Sequence, residues 1–435
     1  MTILAQVQTS LQRVLIEEAR KAGRETGFIQ RAVKVNGDNF CQTLVLGWLE
    51  KPDATLEELC QTGVSLGLEV TAQGLAQRFT EPASRCLRQV LEAAVGELVE
   101  AEVVSLPSLQ QFTGVYLEDS SIVTLPDELA GCWQGSGQAG VKLQLRWDQL
   151  RGSLDGPYLS NSRVHDRVAG QQNQPLPEGS LLIRDLGYWN LSELDKLSQK
   201  EVYWLSRAKS QTHFYDDDGR CWTQAAFVRR QQADCFDIPI RLGKVAQVPA
   251  RFVGWRVPPE TARKWKKQVA ATAKRRGSHC SQDRLTLCEW TLLVTTVPQP
   301  MLSLEAVAAL ARLRWQIELL FKLWKSQGML DKSRSAQPWR ILCEFYAKLI
   351  GLIIQHWALL TGACHHLSLS LVKASAIVRR HAFLLARTLR HPRKLRQTLK
   401  ELQYALSRAP RINKSRRTPR TFQLLAALEP SHVLR

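Results

Sequence analysis

Cysteine pairs at the two-residue spacing of zinc and redox motifs are absent from this 435-residue chain. Its ten cysteines, at 41, 60, 86, 132, 221, 235, 280, 288, 343 and 364, are scattered, which argues against a zinc site and predicts reduced thiols in a cytosolic protein. No apolar run of signal-peptide type follows Met1, because MTILAQVQTSLQRVLIEEARK is interrupted by polar and charged residues. The longest apolar stretch, Leu349 to Leu360, is preceded by Lys348 and broken by Gln355 and His356, so it reads as a buried helix and not as a membrane span. Cys364, His365 and His366 follow it, but side chains so adjacent do not easily converge on one metal ion. Internal repeats and low-complexity segments are also missing.

Negative charge is scarcest between Lys373 and Arg420, where 15 cations face one acid, Glu401. The whole chain carries a formal net charge of +19 and a pI near 9.7. An excess of that size calls for a polyanionic partner, and nucleic acid is the commonest. Ala386, Leu389, Leu395, Leu399 and Leu402 recur at roughly helical spacing, which predicts basic helices over 366–435 in preference to a disordered basic arm. With 44% hydrophobic and 23% charged residues, the remainder suits a folded protein of two or three domains.

Residues 1–105 read as a helical, DNA-binding region with helices near 5–22, 39–50, 55–65, 72–80 and 83–103. TLEELCQTGVSLG and VTAQGLAQRF form two short helices about a turn at Gly67, the second capped by Thr71. That is the layout of a helix-turn-helix, and equally of two helices in a plain bundle. From about 112 the period changes to two. GVYLEDSSIV, VKLQLRW and SLDGPYLS read as strands, Val164 and Val168 mark a short helix, and SLLIRDLGYW is a strand ending at Asp185. LSELDKLSQ is a helix behind Asn190, and VYWLSRA is a fifth strand. Residues 208–302 then hold strand-like pieces at 212–215, 221–229, 236–242 and 251–257, a hairpin tip at DDDGR, a basic helix at 259–276 and a last strand, CEWTLLVTTV.

Leu304 to Gly328 reads as one amphipathic helix, with Leu310, Leu313, Ile317, Leu320, Phe321 and Trp324 on a single stripe. Arg314, Glu318 and Lys325 fall within about 40° of one another beside it. An (i, i+4) Arg–Glu pair is also what ordinary surface helices carry. However, RLRWQIELLFKLWKS resembles the signature helix of bacterial insertion-sequence transposases of the DDE type, in the insertion-sequence-four family, whose pattern is Tyr-x2-Arg-x3-Glu-x6-Lys. Arg314, Glu318 and Lys325 match this pattern, whereas Ala311 stands at the tyrosine position.

The resemblance implies an α/β fold in which a ribonuclease-H-like core (106–207 and 303–365) carries an inserted β-rich domain (208–302) between helical N- and C-terminal regions. It also implies a catalytic triad. Asp119 in LEDSS and Asp185 in Asp185-Leu186-Gly187-Tyr188 match the family's two aspartates, and Glu318 completes the set. Three carboxylates suit hard cations, so two ions of Mg²⁺ or Mn²⁺ are the expected cofactor. Asp166 and the run Asp216 to Asp218 are rival carboxylates in a polar loop and at the hairpin tip. Arg314 and Lys325 are expected to hold DNA phosphates. Lys322, about 40° from Glu318 on the helical wheel, is a candidate to replace the missing tyrosine, and Arg312, about 120° away, is not. Trp290 occupies the position at which relatives that excise through a DNA hairpin stack a tryptophan on a flipped-out base; an interior strand aromatic is the alternative. Arg207 matches the family pattern without an assignable role.

The activity expected is cleavage at the inverted-repeat ends of an element and transfer of the 3′ ends to target double-stranded DNA. A homodimer in the DNA complex, a cytoplasmic, nucleoid-associated location and no membrane partner go with it. A transposase-derived protein that binds ends without cutting, and another ribonuclease-H-like nuclease, are the alternatives.

Overall fold

A computed structural model describes residues 1–31, 34–103, 109–165, 175–363, 368–409, 411–414 and 419–428. Asp166, the short helix expected near Val168, and Cys364, His365 and His366 lie outside the described residues.

The N-terminal helices are α1 (Ile3–Gln12), α2 (Ala19–Glu25), α3 (Gly37–Glu50), α4 (Leu56–Val64), α5 (Ala72–Ala76) and α6 (Glu81–Val95), with a π-helical turn at Arg13–Glu18 joining the first two. Their starts are written in the sequence. Thr55 and Glu58 form a reciprocal capping box on α4, and Thr71 and Thr80 cap α5 and α6. Between α4 and α5, Gly67 adopts φ +74°, a conformation that costs a side-chain-bearing residue energy.

The remainder is mixed α/β about one ten-stranded sheet. In chain order come β1 (Val115–Thr124), β2 (Gly140–Asp148), β3 (Leu154–Asn161), β4 (Leu181–Arg184), α7 (Leu191–Gln199) and β5 (Tyr203–Ser206). β6 (Phe214–Tyr215), β7 (Cys221–Trp222), α8 (Gln224–Arg229), β8 (Cys235–Leu242), β9 (Val248–Arg256), α9 (Pro259–Arg275), α10 (Gln282–Leu287) and β10 (Trp290–Thr295) follow. The spatial order is β3-β2-β1-β4-β5-β10-β9-β8-β6-β7. β1, β4 and β5 run parallel, and the other pairings are antiparallel. The strands of 208–302 therefore extend the same sheet through β10, which pairs with β5. They do bury an aromatic-rich cluster of their own around Phe214, Phe227, Phe236, Phe252 and Trp290, joined by Trp189 and Trp204 from the preceding segment.

Two local expectations change. Residues 224–229 are helical, not extended, because Thr223 caps a turn that buries Ala225, Phe227 and Val228. A short helix, α10, precedes the last strand behind the cap Ser281. The hairpin at DDDGR is as expected, with Gly219 at φ +76° and Asp216 accepting from the Arg220 N–H and the Trp222 indole, both at 2.8 Å.

Beyond the sheet come α11 (Leu304–Leu313), α12 (Trp315–Ser326), α13 (Pro338–Ala363), α14 (Leu371–Thr388), α15 (Pro392–Ser407) and α16 (Thr421–Ala427). α13 is, among the described residues, the one helix long and apolar enough to cross a membrane, and its apolar stretch is buried in the protein. It packs against α3, α6, α14 and α15, so the N-terminal and C-terminal helices share one core with the face of the sheet that carries α12. The basic segment is accordingly ordered over α14 and α15, with Ala382, Leu385, Leu395 and Leu399 inside that core.

Candidate active site

The expected single helix from Leu304 is two. α11 ends and α12 begins at Arg314, where the ladder tightens to a three-residue bond from the Ile317 N–H to the Arg314 carbonyl (3.3 Å). Neither proline nor glycine marks the break. Arg314 itself is the centre of the site: its guanidinium meets Glu318 at 2.5 Å and Asp119 at 3.9 Å. The (i, i+4) pair is therefore no isolated surface contact, because a carboxylate from the sheet joins it.

Asp119 lies mid-strand on β1, not at a strand end, at the level where its parallel neighbour β4 stops. Asp185 follows β4 and opens a single 3₁₀ turn, Leu186–Tyr188. Burial, the largest cause, raises the Asp119 carboxyl to about 6, and the negative charges of Asp185 and Glu318 push the same way; the Ser120 N–H at 2.8 Å and Arg314 oppose them. Asp185 and Glu318 thus both lie close enough to act on Asp119. Among the described residues, however, no three side chains of Asp, Glu, His or Cys are grouped tightly enough to hold a metal ion as they stand. A guanidinium occupies the space between two of the carboxylates instead.

Two hollows flank Arg314. A groove of about 520 Å³ is lined by Asp119, Glu318, Lys322, Lys325, Asp331 and Lys332. A cavity of about 680 Å³ is lined by Asp185, Arg207, Trp255, Trp265, Ala311, Arg312 and Arg314.

The description "Transposase DDE domain" matches residues 110–354, more than half of the chain. The chain belongs to this family. The transposase for insertion sequence element IS231F of Bacillus thuringiensis subsp. israelensis is 26% identical over 429 residues, covering 91% of this chain and 90% of the relative. The transposase for insertion sequence element IS1151 of Clostridium perfringens is 21% identical over 376 residues, covering 80% and 79%. A shorter match, 36% over 106 residues, joins the putative transposase InsL for insertion sequence element IS186A of Escherichia coli (strain K12) over 24% of this chain and 29% of the relative. These names are consistent with an insertion-sequence-four-like transposase.

Within this DDE transposase the expected site residues divide. Asp119, Glu318, Lys322 and Lys325 share the groove; the Lys325 ammonium also donates to the Ile122 carbonyl at 2.7 Å, tying α12 to β1. Asp185 opens into the neighbouring cavity, which also explains where Arg207 belongs. Trp290 is not brought to either hollow. Only 4% exposed, it packs on Phe236 with the Arg256 guanidinium 4.6 Å over its ring. The half-buried aromatics beside Asp185 are Trp255 and Trp265, which the sequence reading passed over; a tryptophan within the basic helix 259–276 was the available signal.

Ala311 and Arg312 line one cavity, while Glu318 and Lys322 open into the other hollow. Asp331 and Lys332 were also missed. They lie on the turn after α12, held by the buried Lys348 ammonium, which donates to the carbonyls of Met329 (3.0 Å) and Lys332 (2.8 Å) and pairs with Glu344 at 2.7 Å.

The raised Asp119 carboxyl has a consequence for stability. A carboxyl moved from 3.8 to about 6 costs the folded state roughly 3 kcal/mol once ionised. The folded protein binds this proton more tightly than the unfolded chain, so the cost is absent below about pH 4 and complete above about pH 6. Asp119→Asn should therefore melt several degrees higher than wild type at pH 7.5, with the gap closing toward pH 4. Equal melting temperatures at pH 7.5 would show that Asp119 ionises without penalty.

Proposed function

We propose that this transposase binds the terminal inverted repeats of its own element, nicks at the 3′ ends and transfers them to target DNA. Asp119, Asp185 and Glu318 serve as the catalytic carboxylates. The observation that carries the reading is that Asp119 and Glu318 pair with Arg314 while Asp185 lies close enough to act on Asp119 and lines a cavity with Arg314, the three coming from a β-strand, a helix packed on the sheet and the turn after the strand's parallel neighbour. The strand order β3-β2-β1-β4-β5, with β1, β4 and β5 parallel, supports a ribonuclease-H-like core.

Transposases with this domain generally use divalent metal ions. The donor set here, three carboxylates of which Asp119 is pushed up by burial and by the charges of the other two, fits hard cations such as Mg²⁺ or Mn²⁺. Two such ions, held by Asp119, Asp185 and Glu318, would activate the attacking oxygen and stabilise the leaving one. Arg314 neutralises Glu318 and Asp119 in the free protein and turns to the phosphate of the DNA end when that end arrives. Lys325 and Lys322 hold phosphates from the same groove. The α4–α5 pair in region 1–105 and the exposed cations of 366–435 supply further DNA contacts. The segment 208–302 acts as an inserted β-rich domain beside the core, and the protein works as a homodimer on DNA in the bacterial cytoplasm, on the nucleoid.

The test is a nicking assay on linear DNA carrying the element's ends. Strand cleavage at those ends should require Mg²⁺ or Mn²⁺ and stop on chelation with EDTA. Cleavage that survives EDTA would remove the carboxylate-metal reading.

Ala311 gives a second test. A tyrosine at this position would enter the cavity that holds Asp185, Arg207 and Arg312. One hydrogen bond from its hydroxyl to a charged phosphate is worth roughly 1.5–3 kcal/mol, so Ala311→Tyr should raise end cleavage about tenfold or more. Assaying the variant on pre-cut and uncut ends separates binding from cleavage. Equal or lower activity would mean that the site is built around alanine.

A further inference from the structure

One residue before each candidate aspartate stands a buried charge. Glu118 precedes Asp119 and is 0% exposed; Arg184 precedes Asp185 and is 4% exposed. The two are register partners on the parallel strands β1 and β4, and Arg146 on β2 is the register partner of Glu118 on the other side. Across this rung the Arg184 Nε lies 2.7 Å from Glu118 Oε2, and the Arg146 Nη2 lies 3.8 Å from Glu118 Oε1. The outer partners are less buried: Arg146 meets Asp155 of β3 at 3.4 Å, and Arg184 meets Glu193 of α7 at 3.7 Å. Because strand side chains alternate, this row lies on the face opposite Asp119.

We infer that the rung Arg146–Glu118–Arg184 sets the placement of β4 against β1, and so makes Glu118 and Arg184 positioning residues for the Asp119–Asp185 pair. β4 is only Leu181-Leu182-Ile183-Arg184 and is buried throughout. Its apolar residues do not alternate, so hydrophobic patterning does not distinguish this register from one slipped by a residue. A slip of one residue would turn the Arg184 guanidinium to the wrong face and carry Asp185 out of level with Asp119. Buried ion pairs contribute little net stability compared with apolar side chains of the same size, but an arrangement that separates them leaves an uncompensated buried charge and is strongly disfavoured. The proposal rests on Asp119 and Asp185 acting together as metal ligands.

The test uses the double variant Glu118→Leu/Arg184→Leu in the full-length protein. Removing both partners leaves Arg146 with Asp155 and Glu193 part-exposed, so no buried charge is stranded. Three quantities are measured: the melting temperature, Mn²⁺ binding by electron paramagnetic resonance, and amide hydrogen exchange by mass spectrometry. Asp185→Ala serves as the control for the metal site. The expected result is a melting temperature within a few degrees of wild type, Mn²⁺ affinity lower by about tenfold to a hundredfold, and exchange over 181–185 faster by about tenfold or more, with α13 and β8–β9 unchanged. Wild-type exchange over 181–185 in the folded double variant overturns the proposal. So does a uniform loss of protection across the sheet, which marks a merely structural role. Should wild-type protein bind no Mn²⁺ that Asp185→Ala abolishes, the metal reading fails, and exchange over 181–185 alone decides the positioning role.

Discussion

Alanine in place of Asp119, Asp185 or Glu318 is expected to lower nicking at element ends by about 10⁴-fold or more. Binding of those ends should stay within about threefold, because phosphate contacts supply most of the affinity. The three acids come from separate elements, Asp119 and Glu318 pairing with Arg314 and Asp185 sharing a cavity with it, so no neighbour replaces a lost donor at the same point. Asp331 lines the groove but lies on the exposed turn beyond α12. With the carboxylates acting as a set, as proposed, a double alanine variant should be no worse than the more damaging single one. Gel-resolved nicking and mobility-shift binding on the same substrate separate the two effects. Wild-type nicking by the Asp185→Ala protein would remove it from the set, and loss of end binding with each substitution would mean that the acids hold the fold and not the chemistry.

The second large effect concerns the basic C-terminal segment. Truncating the chain after Gly362 would be the simplest experiment on the sequence alone, but α14 and α15 bury leucines in the main core, so truncation would expose that core. Substituting exposed charges is cleaner. Arg393, Lys394, Arg396 and Lys400 all lie on the solvent face of α15, whereas Arg390 is committed to the buried Asp38 at 2.7 Å and Arg379 to the carbonyl of Gln327 at 3.0 Å. Each phosphate neutralised adds about 0.9 to the slope of log K against log salt. Changing the four to glutamine should flatten that slope by up to about 3.6 and weaken binding at 0.1 M salt by about tenfold or more. An unchanged slope would show that α15 does not face DNA, and a role in pairing protomers would take its place.

Much of the architecture was legible because its signals are local. LSELDKLSQ behind Asn190 is helical over the residues expected, and the alternation of VKLQLRW gives β2. The candidate carboxylates were picked out by resemblance alone, since two strands and a helix carry positions 119, 185 and 318 toward one another in a way that no periodicity reveals. What was not legible is non-local. That the strands of 208–302 join the main sheet depends on β10 pairing with β5, a contact between residues about ninety positions apart. QAAFVR was misjudged because its phenylalanine and valine suit a strand, and only the Thr223 cap and the packing of Phe227 decide for a helix. Glu118 and Arg184 passed unremarked because a charge inside an apolar strand reads as an exposed position. The informative signal was that each directly precedes a candidate aspartate.

α13 occupies the middle of the molecule but comes late in the chain. α3 and α6 complete their packing against residues 338–363, and α3 also against α14, so part of their apolar surface is covered only by segments far along the chain. Full packing of these helices therefore waits until residues 338–363 have been synthesised. A copy of the gene interrupted anywhere before that point yields a chain that lacks its central support, and its loss of function begins with folding.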